Sequence, residues 1–307
     1  MLAYALRRIA AAVPTLLVIV TVSFFVIRLA PGGPFTDPQR LPPQVRANLE
    51  AAYGLDEPLL KQYLRYLAGV TRGDFGPSLS VRDASVTQLI AQALPISLTL
   101  GLTVLLIALP VGVGLGVLAA LRQGGVIDRS LTGITLFGLS LPTFVTAPVL
   151  ALVFGLYLGW VPVGGWRPGE PRYLVLPVAT LVIPVAAHLA RLMRGSLVEA
   201  LHDSHVRTAR AKGLGPARVI WRHALRPALL PVVSYLGPAA AAILTGSLVV
   251  EQVFAIPGSG RFLVHGAIER DYSLVMGMIT VYGSLTLLCN LAADLLCGWL
   301  DPRVRYE

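Results

Sequence analysis

Six apolar runs, each long enough to cross a lipid bilayer, constrain this chain more than any other feature in it. They are Ile9 to Ala30, Leu94 to Leu121, Leu131 to Leu158, Leu174 to about Leu192, Leu229 to Val250 and Ser273 to Leu300. An apolar helix of about 20 residues spans the hydrocarbon core. Inside lipid, only a helix or a closed barrel satisfies its own backbone hydrogen bonds. The expected fold is an all-α polytopic membrane protein with six transmembrane helices. Composition agrees: 55% of the residues are hydrophobic and 13% charged, against about a quarter charged in soluble domains. Residues 1–30, ended by Pro31-Gly32-Gly33-Pro34, are too long for a signal sequence core and show no small-residue cleavage site, so they are expected to stay as an anchor. Pro110, Pro142, Pro148, Pro184 and Pro238 lie inside the runs, where neighbouring helices can re-satisfy the freed backbone groups.

Charge sets the expected orientation. With a cytoplasmic N-terminus, the inside segments carry Arg7, Arg8, Arg122, Arg129, Arg191, Arg194, Arg207, Arg210, Lys212, Arg218, Arg222, Arg226, Arg303 and Arg305. Only Asp128, Glu199, Asp203, Asp301 and Glu307 oppose them. That surplus of 14 cations over 5 acids equals the whole formal charge of +9. A one-sided surplus is the positive-inside pattern and puts both termini in the cytoplasm. A basic face also attracts anionic membrane lipid. Without a reading element it does not point to nucleic acid.

Residues 31–93 are extracytoplasmic in this orientation. Val45 to Tyr53 and Glu57 to Ala68 have the periodicity of short amphipathic helices, with Tyr63, Leu64, Tyr66 and Leu67 as an apolar stripe. Gly73 to Gly76 is turn-like. A small helical subdomain is expected, acting either as a cap over the bundle or as a docking surface. Residues 94–300 form the core, and residues 301–307 a cytoplasmic tail.

Little in the chain suggests catalysis. It has no G-x-x-x-x-G-K-[ST] phosphate loop and no G-x-S-x-G elbow. Gly112, Gly114 and Gly116 lie inside an apolar run, where small residues serve close helix packing. His202 and His205 are three apart, but no carboxylate or cysteine completes a zinc set. Cys289 and Cys297 match neither a disulfide framework nor a metal motif. No catalytic residue, metal or cofactor is expected in this chain.

The informative polar stretch is the loop 193–228. It is longer than a topology signal needs, and it is patterned. His205 to Lys212 can form a short helix, Gly213 and Gly215 can end it, and a second helical stretch follows Pro216. Such a helix, held between two spans, can pass force from a soluble partner into membrane helices.

The string VRTARAKGLGPARVIWRHALRPALLPV resembles the cytoplasmic coupling loop, or EAA loop, of ABC importer permeases. Gly213 matches its glycine and Ala209 its second alanine. Arg207 and Thr208 stand for the Glu-Ala start, and His223-Ala224-Leu225-Arg226 for Ile-x-Leu-Pro, as in the peptide-permease branch. YALRRIAAAVPTLLVIVTVSFFVIRLAPGGPF, GLDEPLLKQYLRYL, GDFGPSLS, GSLVVEQVFAIPGSGRFLVHGAIERDYSLVMG and LDPRVRY extend the likeness over nearly the whole chain. It is similar to the B-type membrane subunits of bacterial oligopeptide ABC importers.

The resemblance implies a type I importer permease in the bacterial inner membrane. It implies a homologous second permease, two ABC ATPases that hold ATP and magnesium, and an extracytoplasmic peptide-binding protein. It also implies that His205, Val206, Arg207, Thr208, Ala209, Arg210, Ala211, Lys212 and Gly213 receive the motion of the ATPase. In that reading Ala209 and Ala211 let a partner groove approach closely, and Arg207, Arg210 and Lys212 supply charge. Related permeases carry dipeptides, nickel chelates or other peptide-like solutes, so those cargoes stay open. So does an ion-coupled secondary transporter, which needs inverted repeats with broken helices.

Three ionisable residues lie in or near the runs. Charge in lipid is costly, so such groups face the bundle or a cavity. Asp294 and His188 fit either a satisfied packing contact or the translocation path. Arg191 fits either that path or a snorkelling anchor.

Overall fold

The computed structural model describes residues 2–35 and 42–300. The tail 301–307, with Arg303 and Arg305, lies outside the described residues. α1 (Leu2–Leu29) is followed by two short helices, α2 (Pro43–Ala52) and α3 (Leu59–Val70), and by the long α4 (Val86–Leu121). Next come α5 (Val126–Ser140) and α6 (Thr143–Leu150, continued as a π-helix to Tyr157), then α7 (Val175–His202). The loop forms α8 (Ser204–Ala211) and α9 (Pro216–Val219), which leads through a π-helical turn into α10 (Leu225–Leu244). α11 (Leu248–Val253), α12 (Gly260–Ile268) and α13 (Tyr272–Leu300) complete the described chain, and no strand occurs among the described residues.

Glycine contacts give the direction of each crossing. A β-carbon on Gly112 would sit 2.7 Å from the Ala186 carbonyl oxygen, and one on Gly116 2.6 Å from that of Ala190. Only glycine permits this approach, and the pairing shows that α4 and α7 run parallel. α10 runs against both, since Ser196 Oγ donates to the Ala228 carbonyl at 2.7 Å while Gly101 meets Ile243 and Leu244. α13 opposes α10, because Arg226 Nε reaches the Leu300 carbonyl at 3.0 Å. α1 opposes α13, joined by Arg8 and Asp294 at 3.1 Å and by the Tyr272 hydroxyl and Gly32 carbonyl at 2.9 Å.

Because α4 and α7 are parallel, the chain between them must cross once. The third apolar run does this bent: α5 and the α6 segment meet at 97°. The run Leu131 to Leu158 thus crosses as a broken span, with the break at Pro142, one of the prolines inside it. The cause is local. Pro142 cannot donate to a helix, and it drives Leu141 into extended geometry with ψ 113°. The result is six crossings among the described residues, with the start of α1, the end of α13 and the α8 loop on one side.

Other boundaries move for packing reasons. α4 starts eight residues early, at Val86, because Ser85 and Gln88 form a reciprocal capping box. α7 runs ten residues past Leu192 to His202, because Leu197 and Ala200 are buried in the core that also holds Val206. The fifth run breaks after Leu244 at Gly246, whose φ is +96°, and resumes as α11.

The segment opposite α8 is fastened to the bundle. Tyr63, Tyr66 and Leu67 pack around Phe24 of α1 and Met276 of α13. The Tyr66 hydroxyl donates to the Met276 carbonyl at 3.0 Å, and burial pushes its pKa up to about 12. Leu64, expected in the same stripe, is 57% exposed: the stripe is Tyr63–Tyr66–Leu67, at helical i, i+3, i+4 spacing.

Candidate functional site

α8 is built by local signals at both ends. Asp203 is extended, and its side chain accepts from the Ser204 amide at 2.5 Å. Hydrogen bonds from the Ser204 hydroxyl and amide hold its carboxyl below the usual range. At the other end Gly213 takes φ +76°. Its amide donates to the Arg210 carbonyl at 2.9 Å, and the Leu214 amide donates to the Ala209 carbonyl at 3.3 Å. That pair of bonds is a Schellman C-cap, which needs a left-handed residue at the glycine position. Arg210 and Lys212 lie in the last turn, where cations complement the helix dipole.

The helix has two faces. Val206 and Ala209 are buried in a cluster with Leu189, Met193 and Leu197 of α7 and with Val219, Ala224 and Ala228. His205, Arg207, Thr208, Arg210, Ala211 and Lys212 are exposed, as is Gly213. The structure therefore corrects one detail: Ala209 packs inside its own chain and is not available to a partner, whereas Ala211 is. The reason is period. Residues three apart share a helix face, and Val206 and Ala209 make the inward stripe. The loop is tied back by His205, whose Nε2 lies 3.0 Å from the His223 carbonyl oxygen, and by Arg207, which donates to the His202 carbonyl at 3.2 Å. His202 is held separately, with Nδ1 2.7 Å from the Val198 carbonyl oxygen, so His202 and His205 do not converge. Trp221 beyond α9 is 71% exposed and adds an aromatic to a surface that already carries Arg218 and Arg222.

The three ionisable residues do not gather into one site. Asp294 pairs with Arg8. His188 stacks on Tyr235 of α10 with ring centroids 4.1 Å apart. Arg191 is exposed one turn further along α7.

Three buried carboxylates, those of Asp128, Glu251 and Asp271, escaped the sequence reading. Glu251 of α11 accepts from Ser97 Oγ of α4 at 2.6 Å and from the Gly260 amide at 2.9 Å. Asp271 caps α13 through the Leu274 amide at 2.9 Å. Its other oxygen accepts from Ser78 Oγ at 2.5 Å, the Leu79 amide at 2.8 Å, and the Ser80 amide and hydroxyl at 3.0 and 2.9 Å. For Glu251 the only signal was an acid in a largely apolar stretch. For Asp271, beside Glu269 and Arg270, there was not even that, and nothing local says which distant donors either meets. On the same side, α11 and α12 border a cleft of about 720 Å³ lined by Leu248, Val253, Phe262 and Ile268, with Gln252, Arg261 and His265 as its polar side chains.

Comparison with known proteins follows the same outline. Residues 112–306 match the family described as binding-protein-dependent transport system inner membrane component, and residues 1–101 match its N-terminal companion family. The chain is 51% identical over 306 residues to the oligopeptide transport system permease protein OppB of Haemophilus influenzae and 47% identical to its namesake of Salmonella typhimurium. Each alignment covers 100% of both chains. Identity to the dipeptide transport system permease protein DppB of Bacillus subtilis is 41%, over 98% of this chain and 97% of that one. Among solved structures, a chain of the inward-facing MetNI methionine ABC transporter shares the fold, with a TM-score of 0.55 at 20% identity, over 70% of this chain and 97% of that chain. The all-α importer-permease fold is thereby shown, and the ion-coupled transporter loses its support. The chain belongs to the family of inner membrane components of binding-protein-dependent transport systems.

Proposed function

We propose that this chain is one membrane subunit of an ATP-driven importer of oligopeptides, and that α8 is where ATPase motion enters it. The observation that carries the reading is the two-faced α8: Val206 and Ala209 root it in the helix core, while Arg207, Arg210, Ala211 and Lys212 face outward. A rooted helix with an exposed cationic face can transmit displacement from a docked partner, and its charges guide docking. Two ATPases that bind ATP and magnesium, a homologous second permease and a peptide-binding protein on the opposite side complete the system. The relatives named OppB favour oligopeptides. The relatives named DppB, at 41% and 35% identity, are the observation that favours dipeptides as the second reading.

The test is uptake of labelled peptides of two to eight residues into proteoliposomes, omitting each component in turn. Uptake is expected only with the full set, and this subunit alone should hydrolyse no ATP. Gradient-driven uptake by this chain alone would sink the proposal.

Sidedness is tested separately. α8 and the start of α1 share a side, which the charge surplus assigns to the cytoplasm. A cysteine replacing Lys61, 65% exposed at its side chain, should react with impermeant reagent from outside the cell. One replacing Lys212 should react only after the membrane is opened. The reverse pattern overturns the orientation.

A further inference from the structure

An ion pair links the helix that carries α8 to the bent crossing. Asp128, in the first turn of α5, is 3% exposed. Arg194 of α7 donates to both of its oxygens, Nε to Oδ1 at 2.5 Å and Nη2 to Oδ2 at 2.7 Å. Oδ2 also accepts from the Gly124 amide at 2.9 Å, in the turn joining α4 to α5. The fork-on-carboxylate geometry fixes orientation as well as distance, which a single contact does not. Arg194 lies eight residues before the end of α7, about 12 Å along the helix axis, and α8 follows after Asp203 alone. At the far end of α5, a β-carbon on Gly138 would lie 3.3 Å from Ile183 of α7. Beyond it the chain loses helical geometry at Leu141-Pro142 and turns through 97°.

We propose that Asp128 and Arg194 are positioning residues that make α5 move with the lower half of α7, so that a displacement of α8 is delivered to the bend at Leu141-Pro142. α5 is thus clamped near its start by the ion pair and seated near its end by Gly138. The break that follows is where helical geometry is interrupted along the crossing. A push on α8 passes through the buried Val206 and Ala209 into α7, then through the clamp into α5, and emerges as a change of angle at the break. Coupling of this kind needs a contiguous element with two arrangements that both sites bias. The proposal rests on the importer reading above.

The experiment uses the complete assembly in proteoliposomes and measures ATP hydrolysed per peptide imported. The double variant Asp128→Asn with Arg194→Gln removes the fork without leaving an orphan charge. Arg194→Lys keeps the charge but loses the bidentate geometry and serves if the double variant fails to assemble. With the clamp loosened, hydrolysis continues while uptake falls, and the ratio of ATP to peptide is expected to rise about tenfold. A purely structural pair predicts that both rates fall together or not at all. An unchanged ratio therefore overturns the proposal. A wild-type assembly that imports nothing with ATP overturns the importer reading itself, and the role of the clamp with it.

Discussion

Replacing Asp271 with alanine is expected to release the segment around Ser78 to Ser80 from the bundle. One buried carboxylate there receives two hydroxyls and two amides on one oxygen and caps α13 with the other. Its removal leaves several buried donors unmade, at a cost of roughly 3–5 kcal/mol. Hydrogen exchange at the Leu79 and Ser80 amides should accelerate about 100-fold, since local opening sets that rate. Asp271→Asn is expected to do nearly as much harm. An amide keeps one acceptor oxygen and replaces the other with an NH2 group that only donates, so it can accept from either the cap or the serine cluster but not both. Unchanged exchange in both variants would show that the packing of Phe75, Val81 and Ala84 on Val86, Leu274 and Met278 holds the segment without Asp271.

Gly213 should separate two effects at the exit of α8. A β-carbon there meets nothing within 4 Å, so a substitution acts through backbone strain or through charge. Gly213→Val is expected to lose most peptide uptake, because a left-handed β-branched residue costs about 1–2 kcal/mol and unlatches the C-cap. Gly213→Asn should be nearly silent, since asparagine tolerates that conformation. Gly213→Asp tolerates it too, yet sets a negative charge beside Arg210 and Lys212. Loss of uptake and of ATPase copurification with the aspartate but not with the asparagine assigns the site to an electrostatic interface. Equal uptake in all three variants would remove α8 from the coupling path. Ala209→Glu is a poorer probe, because Ala209 is 4% exposed inside its own chain, so a charge there unseats the loop before any partner is involved.

The crossings, α8 and the two helices of the outer segment were legible in the sequence because each rests on short-range physics. Run length against bilayer thickness marks a span, Gly213 followed by Pro216 marks a stop and a restart, and cations outnumber acids on one side. The inward stripe of α8 could have been read from the same period, since Val206 and Ala209 are its small apolar residues at i and i+3. Three features were decided only by tertiary structure. Whether Pro142 kinks or breaks a span depends on what packs against the freed backbone, and here α6 turns away at 97°. Where α7 ends depends on the core under α8, which rewards ten more helical residues that carry Arg194 and Glu199. The partners of Asp128, Glu251 and Asp271 come from 66, 154 and 193 residues away. A buried acid announces in the sequence that it must be satisfied, but which donors satisfy it is settled only when the helices have packed.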